Sequence, residues 1–336
     1  MSEPAILHGG GITAAAERFG GRAEDWLDLS TGINPCPVAL PAIDASAWHR
    51  LPDRHRFDAA RRAAAQFYGA HACLPLPVPG TQSVIQLLPR LVGAGRRAAI
   101  LSPTYGEYGR VLRNAGVSVD AVSSLEEIGE THGLAVVVNP NNPDGRLLGK
   151  DDLLALCGRL HASGGMLLVD EAFGDMEPQS TLAPVAGGVP GLVVFRSFGK
   201  FFGLAGLRLG FVLAGERVAA DFSDALGPWA VSGPALELAR KLMEQDAGPI
   251  REAIRIRKLA LDAVLAGAGL RVCGGTALFS LVEHPQAVAI HEALCRRHIL
   301  VRAFDYQPRW LRFGLAPDGQ ADMRLAEALR SSGLRR

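Results

Sequence analysis

Between Ala98 and Ala214 the chain repeats one pattern: a short apolar run, a stretch of helical spacing, then another short apolar run. The runs are "AAILSP" (Ala98 to Pro103), "AVVVNP" (Ala135 to Pro140), "GMLLVDEAF" (Gly165 to Phe173), "LVVFRSF" (Leu192 to Phe198) and "LGFVLA" (Leu209 to Ala214). Each is apolar on consecutive rather than alternate residues, which predicts strands buried on both faces. Such strands need helices above and below them. "DDLLALCGRLHASGG" supplies one, with an acidic first turn, apolar residues at Leu153, Leu156, Cys157 and Leu160, and a glycine stop. Strand, helix and strand in this order predict an α/β domain around a mostly parallel sheet.

After about Pro234 the texture changes. A long basic helix, "PIREAIRIRKLALDAVLAGAG", leads to a strand, "LRVCGGTALFSLVE", and a helix, "QAVAIHEALCRRH". Two strands, "ILVRAF" and "RWLRFGLA", and a closing helix complete a smaller α+β domain. The expected organisation is an N-terminal arm over residues 1–45 packing on the small domain, a large domain over 46–235 and the small C-terminal domain over 236–336. At 336 residues and 48% hydrophobic content, the chain can bury a large core. Lys+Arg at 35 against Asp+Glu at 34 leaves a formal +1 with no long basic run, so small molecules rather than nucleic acid are the expected partners. Five cysteines, Cys36, Cys73, Cys157, Cys273 and Cys295, form no Cys-x-x-Cys pair, which argues against a disulfide framework and a zinc site. "MSEPAILHGG" has no basic segment followed by an apolar one, and no apolar run reaches membrane-spanning length. A soluble, cytoplasmic protein without a membrane partner is expected.

Open α/β sheets place ligands beyond the carboxyl ends of their strands, and polar residues gather there. "NPNNPDG" (Asn139 to Gly145) follows one strand, Asp170 ends the next, and "SFGKFFGLAGLRLG" carries Ser197 and Lys200 past the third, with Arg208 eight residues further on. A carboxylate after four apolar residues is expensive unless a cation balances it. Alone, Asp170 could cap a helix or pair with a structural arginine, and a lone lysine is usually solvated. One strand apart at the same sheet end, the two point to a site.

Asn142 in "NPDG", Asp170 in "DEAF" and the stretch "SFGKFFGLAGLRLG" resemble the motif set of the fold-type I pyridoxal-phosphate enzymes, the aspartate aminotransferase superfamily. The resemblance runs in the right order from "HGGGI" to "RWLRFGLAP", nearly the whole chain. It implies pyridoxal 5'-phosphate as cofactor, with Lys200 as its covalent tether and Asp170 as partner of the pyridinium nitrogen. Asn142 would bind the phenolic oxygen and Tyr105 in "SPTYGEY" would stack on the ring. Gly80, Thr81 and Gln82 in "PGTQSVIQLL", together with Ser197 and Arg208, would hold the phosphate. The physics agrees: "PGTQ" at the opening of an expected helix, "SVIQLLPRLV", offers N–H groups and a favourable dipole to an anion, and Arg208 can add a bidentate contact. A homodimer is also implied, although the family's Tyr-Pro-Asp motif, whose tyrosine reaches the partner's cofactor phosphate, reads "LPD" here, with Leu51 in the tyrosine's place.

Two subfamilies that handle phosphorylated substrates look closest, histidinol-phosphate aminotransferase and the threonine-phosphate decarboxylase of the cobalamin pathway. "HGGGITAAAERFG" followed by "LDLSTGINPCP" resembles the decarboxylase, with Ser30, Ile33, Asn34 and Pro35 holding its Ser-x-x-Ile-Asn-Pro turn. On their own, His8 and its glycines could form a flexible arm, and Asn34 could merely hold a turn. Phe173 stands where aminotransferases usually carry a tyrosine. Arg302 in "ILVRAF" matches an arginine that binds substrate phosphate in the histidinol-phosphate enzymes, and Arg312 in "RWLRFGLA" matches the superfamily's substrate-carboxylate arginine. The resemblance thus implies decarboxylation of L-threonine O-3-phosphate to (R)-1-aminopropan-2-ol O-phosphate, with His8, Asn34, Arg302 and Arg312 on the substrate. The alternatives are an aminotransferase on histidinol phosphate or a related amino acid, and a cofactor-binding regulator without chemistry.

Overall fold

A computed structural model describes residues 8–331. The strands, in chain order, are β1 (Leu27–Leu29), β2 (Leu76–Val78), β3 (Arg97–Leu101), β4 (Val119–Val122), β5 (His132–Val138), β6 (Met166–Asp170), β7 (Leu192–Ser197), β8 (Gly210–Ala214), β9 (Val272–Thr276), β10 (Phe279–Glu283), β11 (Ile299–Ala303) and β12 (Trp310–Gly314). They divide between two compact units. The larger comprises Val38–Asn141 and Leu147–Ala247; the smaller comprises Asn142–Arg146 and the described residues within Met1–Pro37 and Gly248–Arg336.

The larger unit is built on a seven-stranded sheet of order β2-β8-β7-β6-β5-β3-β4. The pairs β3/β4, β3/β5, β5/β6 and β6/β7 are parallel, while β8 runs antiparallel to both β7 and β2. This is the mostly parallel α/β sheet that the apolar runs predict. Its central strands are buried along their length because helices cover the sheet. One cover is the helix Lys150–Ala162, which buries Leu153, Leu156, Cys157 and Leu160 as their spacing requires. The core around Val136, Leu168, Phe195 and Val212 also takes in Tyr108 and Leu112 from the helix Glu107–Asn114.

Two elements differ from the sequence reading here and in the smaller unit. The helix expected over "SVIQLLPRLV" stops at Ile85, and a 3-10 turn over Leu88–Leu91 follows. Pro89 explains the break, since it has no N–H to give and its ring would strike the carbonyl four residues back, at Ile85. The single strand expected over "LRVCGGTALFSLVE" is a hairpin, in which β9 and β10 pair antiparallel with Phe279 opposite Thr276. A tight turn folds the run back on itself, so both halves find partners.

The smaller unit has a five-stranded sheet of order β1-β11-β12-β10-β9, antiparallel except for β1 against β11. Residues Leu27–Leu29 thus belong to this sheet, with Leu29 opposite Val301. The segment Asn142–Arg146 joins it through Gly145, whose φ is +75° and whose position leaves no room for a side chain: a Cβ would lie 1.8 Å from the carbonyl oxygen of Gly275. No helix among the described residues is long and apolar enough to cross a membrane.

Candidate active site

In the larger unit, strand direction brings five of the implied positions to one edge of the sheet. Asp170 ends β6, Ser197 ends β7 with Lys200 three residues on, and Tyr105 follows β3. Because β8 is antiparallel, its beginning lies at this same edge, with Arg208 just before it; Gly210 pairs with both Ser197 and Val78. The turn Gly80, Thr81 and Gln82 therefore emerges there too.

Asp170 is 5% exposed. Its Oδ2 accepts a hydrogen bond from the Tyr108 hydroxyl at 2.6 Å and its Oδ1 accepts one from the Ala172 N–H at 2.9 Å. Burial pushes its carboxyl above the usual range, against the Tyr108 hydrogen bond and the Lys200 charge, which favour ionisation. The Lys200 ammonium sits 4.7 Å from the centre of the Phe173 ring, a cation–π contact at the position without a hydroxyl. Arg208 is left-handed at φ 53°, a conformation that L residues with side chains seldom hold without compensation. Its guanidinium lies against Gly80, where φ is +76° and a Cβ would come within 2.9 Å of Nη2. The positive φ favours glycine here, and the missing Cβ lets the cation lie directly against the turn. Tyr105 donates to Gln82 Oε1 at 3.0 Å, tying the ring position to the same turn.

In the smaller unit, β11 and β12 place Arg302 directly across from Arg312. Arg312 is 6% exposed; Nη1 donates to Asn142 Oδ1 and Nη2 to the Ser30 carbonyl at 2.7 Å, while its buried Nε has no hydrogen-bond partner. Burial first, and the Arg302 charge second, push its pKa down to about 10. Like charges opposite one another on a sheet are destabilising, and an orphaned buried donor adds to the cost. The charges of Tyr306 and Asp28 act the other way without outweighing burial and Arg302. Asn34 does hold a turn, its Oδ1 accepting from the Cys36 N–H at 2.9 Å. His8 is exposed, and the glycines after it are pinned at Ser30, whose Oγ accepts the Gly10 N–H at 2.7 Å. Among the described residues no group of three or more His, Cys, Asp or Glu side chains could hold a metal ion.

A family model for class I and II aminotransferases matches residues 24–329. The chain belongs to this family. It is 64% identical to a threonine-phosphate decarboxylase of Sinorhizobium sp over 98% of both chains, and 44% identical to a threonine-phosphate decarboxylase of Pseudomonas aeruginosa over 96% of this chain and 97% of the relative. The crystal structure of histidinol-phosphate aminotransferase from Sinorhizobium meliloti in complex with pyridoxal-5'-phosphate has a TM-score of 0.82 at 21% identity, covering 98% of this chain and 96% of that one.

Seen as a class I and II aminotransferase fold, the chain also contains polar groups that sequence reasoning missed. Tyr108 sits one helical turn beyond Tyr105, 62 positions from the carboxylate it bonds, and nothing local marks it. Glu107, fully buried, accepts from Gln82 Nε2 at 3.1 Å and from Arg110 Nη2 at 2.5 Å. Glu171 and Asp175, beside the singled-out Asp170, both hold the buried Arg196. A signal for these did exist: three acids within six residues after an apolar strand require cations nearby.

Proposed function

We propose that this protein is a pyridoxal-phosphate-dependent decarboxylase that converts L-threonine O-3-phosphate to (R)-1-aminopropan-2-ol O-phosphate and carbon dioxide. The observation that carries this reading is the 64% identity, over almost all of both chains, with a protein named threonine-phosphate decarboxylase. The histidinol-phosphate aminotransferase of known structure, at 21% identity, carries the fold alone.

The residues fit the cofactor. The Gly80 turn closed by Arg208, with Thr81, Gln82 and Ser197, would hold its phosphate, and the cradle that a Cβ at Gly80 would fill favours this placement. Tyr105 would cover the ring, Asn142 would meet the phenolic oxygen, Asp170 would hold a cationic ring nitrogen, and Lys200 would be the tether. When bound, the cofactor supplies a sink for the electron pair released at the substrate's α-carbon.

The chain's own residues then determine which bond at that carbon breaks. Arg302 and Arg312, with His8 and Asn34, bind the substrate's phosphate and carboxylate; if the strongest contacts go to the phosphate, the carboxylate is left able to depart. It departs as carbon dioxide and a proton takes its place on the α-carbon. The Lys200 amine would be the group that carries that proton to the α-carbon. Phe173 removes a hydroxyl from the neighbourhood of Lys200 and leaves Asn142 as partner of the phenolic oxygen. We also infer a cytoplasmic homodimer. Trp48, Leu51 and Trp229, all exposed on the larger unit, are the kind of apolar surface that a second copy covers.

The test is an assay that follows carbon dioxide from threonine phosphate and, separately, glutamate formed from 2-oxoglutarate with histidinol phosphate or threonine phosphate as amino donor. The expected result is carbon dioxide from threonine phosphate, with the cofactor fixed on Lys200 by borohydride. Glutamate formation without carbon dioxide would make the protein an aminotransferase, and a label on another lysine would remove the site.

A further inference from the structure

Tyr108 is a wholly buried phenol in the apolar core of the larger unit, and a buried hydroxyl needs an acceptor. Its acceptor is Asp170 Oδ2 at 2.6 Å. The ring is held edge-on to Tyr105, with centroids 6.1 Å apart and planes at 82°, and it rides on the helix Glu107–Asn114. The same short stretch reaches the phosphate turn, through Tyr105 to Gln82 Oε1 and through Glu107 to Gln82 Nε2. One element therefore touches both the carboxylate and the turn.

We propose that Tyr108 is a positioning residue for the decarboxylase, holding the Asp170 carboxylate ionised and oriented so that it can pair with a cationic ring nitrogen. The role rests on the assignment of Asp170 as partner of that nitrogen. Geometry carries it: one carboxylate oxygen takes the phenol and the other takes the Ala172 N–H, so both the plane and the position of the carboxylate are set by the protein before any cofactor arrives. The groups that act on Asp170 are Tyr108 and the Ala172 N–H by hydrogen bond, and Lys200 and Arg196 by charge; Asp170 in turn acts on Tyr105 through its own charge. Burial opposes ionisation of Asp170, and the Tyr108 hydrogen bond heads the influences that favour it. Burial and the Asp170 charge keep the phenol itself protonated and therefore a donor. Without that donor the carboxyl would titrate at higher pH, and its attraction for a cationic nitrogen would fade sooner on acidification.

The experiment is titration of apo protein with pyridoxal phosphate, measured as a dissociation constant across pH 5 to 8. It uses wild type, Tyr108→Phe, Asp170→Ala and the double variant, with thermal unfolding of each apo form as a check on folding. Tyr108→Phe should weaken binding roughly tenfold or more at the acid end, the scale of a hydrogen bond to a charged group, and less at pH 8. In the Asp170→Ala background it should change nothing further, since there is no carboxylate left to hold. An equal loss in both backgrounds, or a loss independent of pH, would make Tyr108 a packing residue. Asp170→Ala without effect on affinity would overturn the Asp170 assignment and this inference with it; an effect of Asp170→Ala but none of Tyr108→Phe would overturn this inference alone. If the phenylalanine variant does not fold, site-specific 3-fluorotyrosine at position 108 keeps the shape and strengthens the donor. It should move the acid loss of affinity to lower pH, and no movement would defeat the proposal.

Discussion

Arg196 on β7 of the larger unit and Arg312 on β12 of the smaller are buried to a similar degree, 3% and 6% exposed, yet their surroundings are opposites. Arg196 meets Glu171 Oε2 at 2.6 Å, the Asp175 carboxylate, and the face of Tyr68 at 4.5 Å. Burial works against its charge, but the two carboxylates prevail and raise its pKa. Arg312 donates to a neutral amide and a carbonyl and stands across from another arginine; the charges of Tyr306 and Asp28 offset only part of what burial and Arg302 take away. The contrast separates two uses of a buried cation. One whose counter-charges are built into the chain is architecture. One held against neutral partners and a like charge suits the anion-binding role proposed for it.

The contrast breaks most readily at Arg196. Arg196→Met strands two buried carboxylates and should cost about 3–5 kcal/mol of stability in denaturant unfolding; a loss below about 1 kcal/mol would mean that the carboxylates are not dependent on it. Arg302→Ala should behave in the opposite way, leaving stability intact or improved while costing about 2–4 kcal/mol in kcat/KM for threonine phosphate. Unphosphorylated threonine, which never made the contact, should lose much less. Equal losses on the two substrates would take Arg302 out of phosphate recognition.

A third experiment sharpens the same point through an added anion. Isopropyl phosphate, at about a hundredfold excess over its dissociation constant, should stabilise the holoenzyme by about 2.7 kcal/mol in thermal unfolding. Arg302→Ala should abolish that gain; a variant that retained it would show that the alkyl phosphate binds elsewhere. The smallest expected effect comes from giving Arg312 what Arg196 already has. Asn142→Asp places a carboxylate at the atom that Nη1 now meets, and should raise apo stability by about 1 kcal/mol while weakening the binding of the alkyl phosphate. A fall in apo stability would mean that Arg312 is already compensated.

How far these arginines could be read in advance depended on the reach of the interactions involved. Arg302 and Arg312 stand out in the sequence by resemblance alone, and their pairing across β11 and β12 depends on register, which no local pattern carries. Arg196 carries no local signal because its partners lie 25 and 21 positions earlier. Asp170 was visible because a carboxylate ending an apolar run is a local anomaly; its hydrogen bond from Tyr108, 62 positions away, was not.

The same division holds for the fold. Five apolar runs and the helix Lys150–Ala162 were written in local periodicity, because burial on both faces of a strand or one face of a helix selects side chains residue by residue. From this the α/β class and the sheet edge carrying Asp170 and Lys200 followed. The strands β1, β2 and β4, three or four residues long, carry too little pattern to stand out, and exist because a neighbouring edge offers them hydrogen bonds. The folding of one apolar run into β9 and β10, and the enrolment of Asn142–Arg146 in the smaller unit, were likewise settled by pairing partners distant in the chain. Local preference names the element and its buried face. Which donor meets which acceptor waits for loops to close, and that is what set Arg312 across from Arg302.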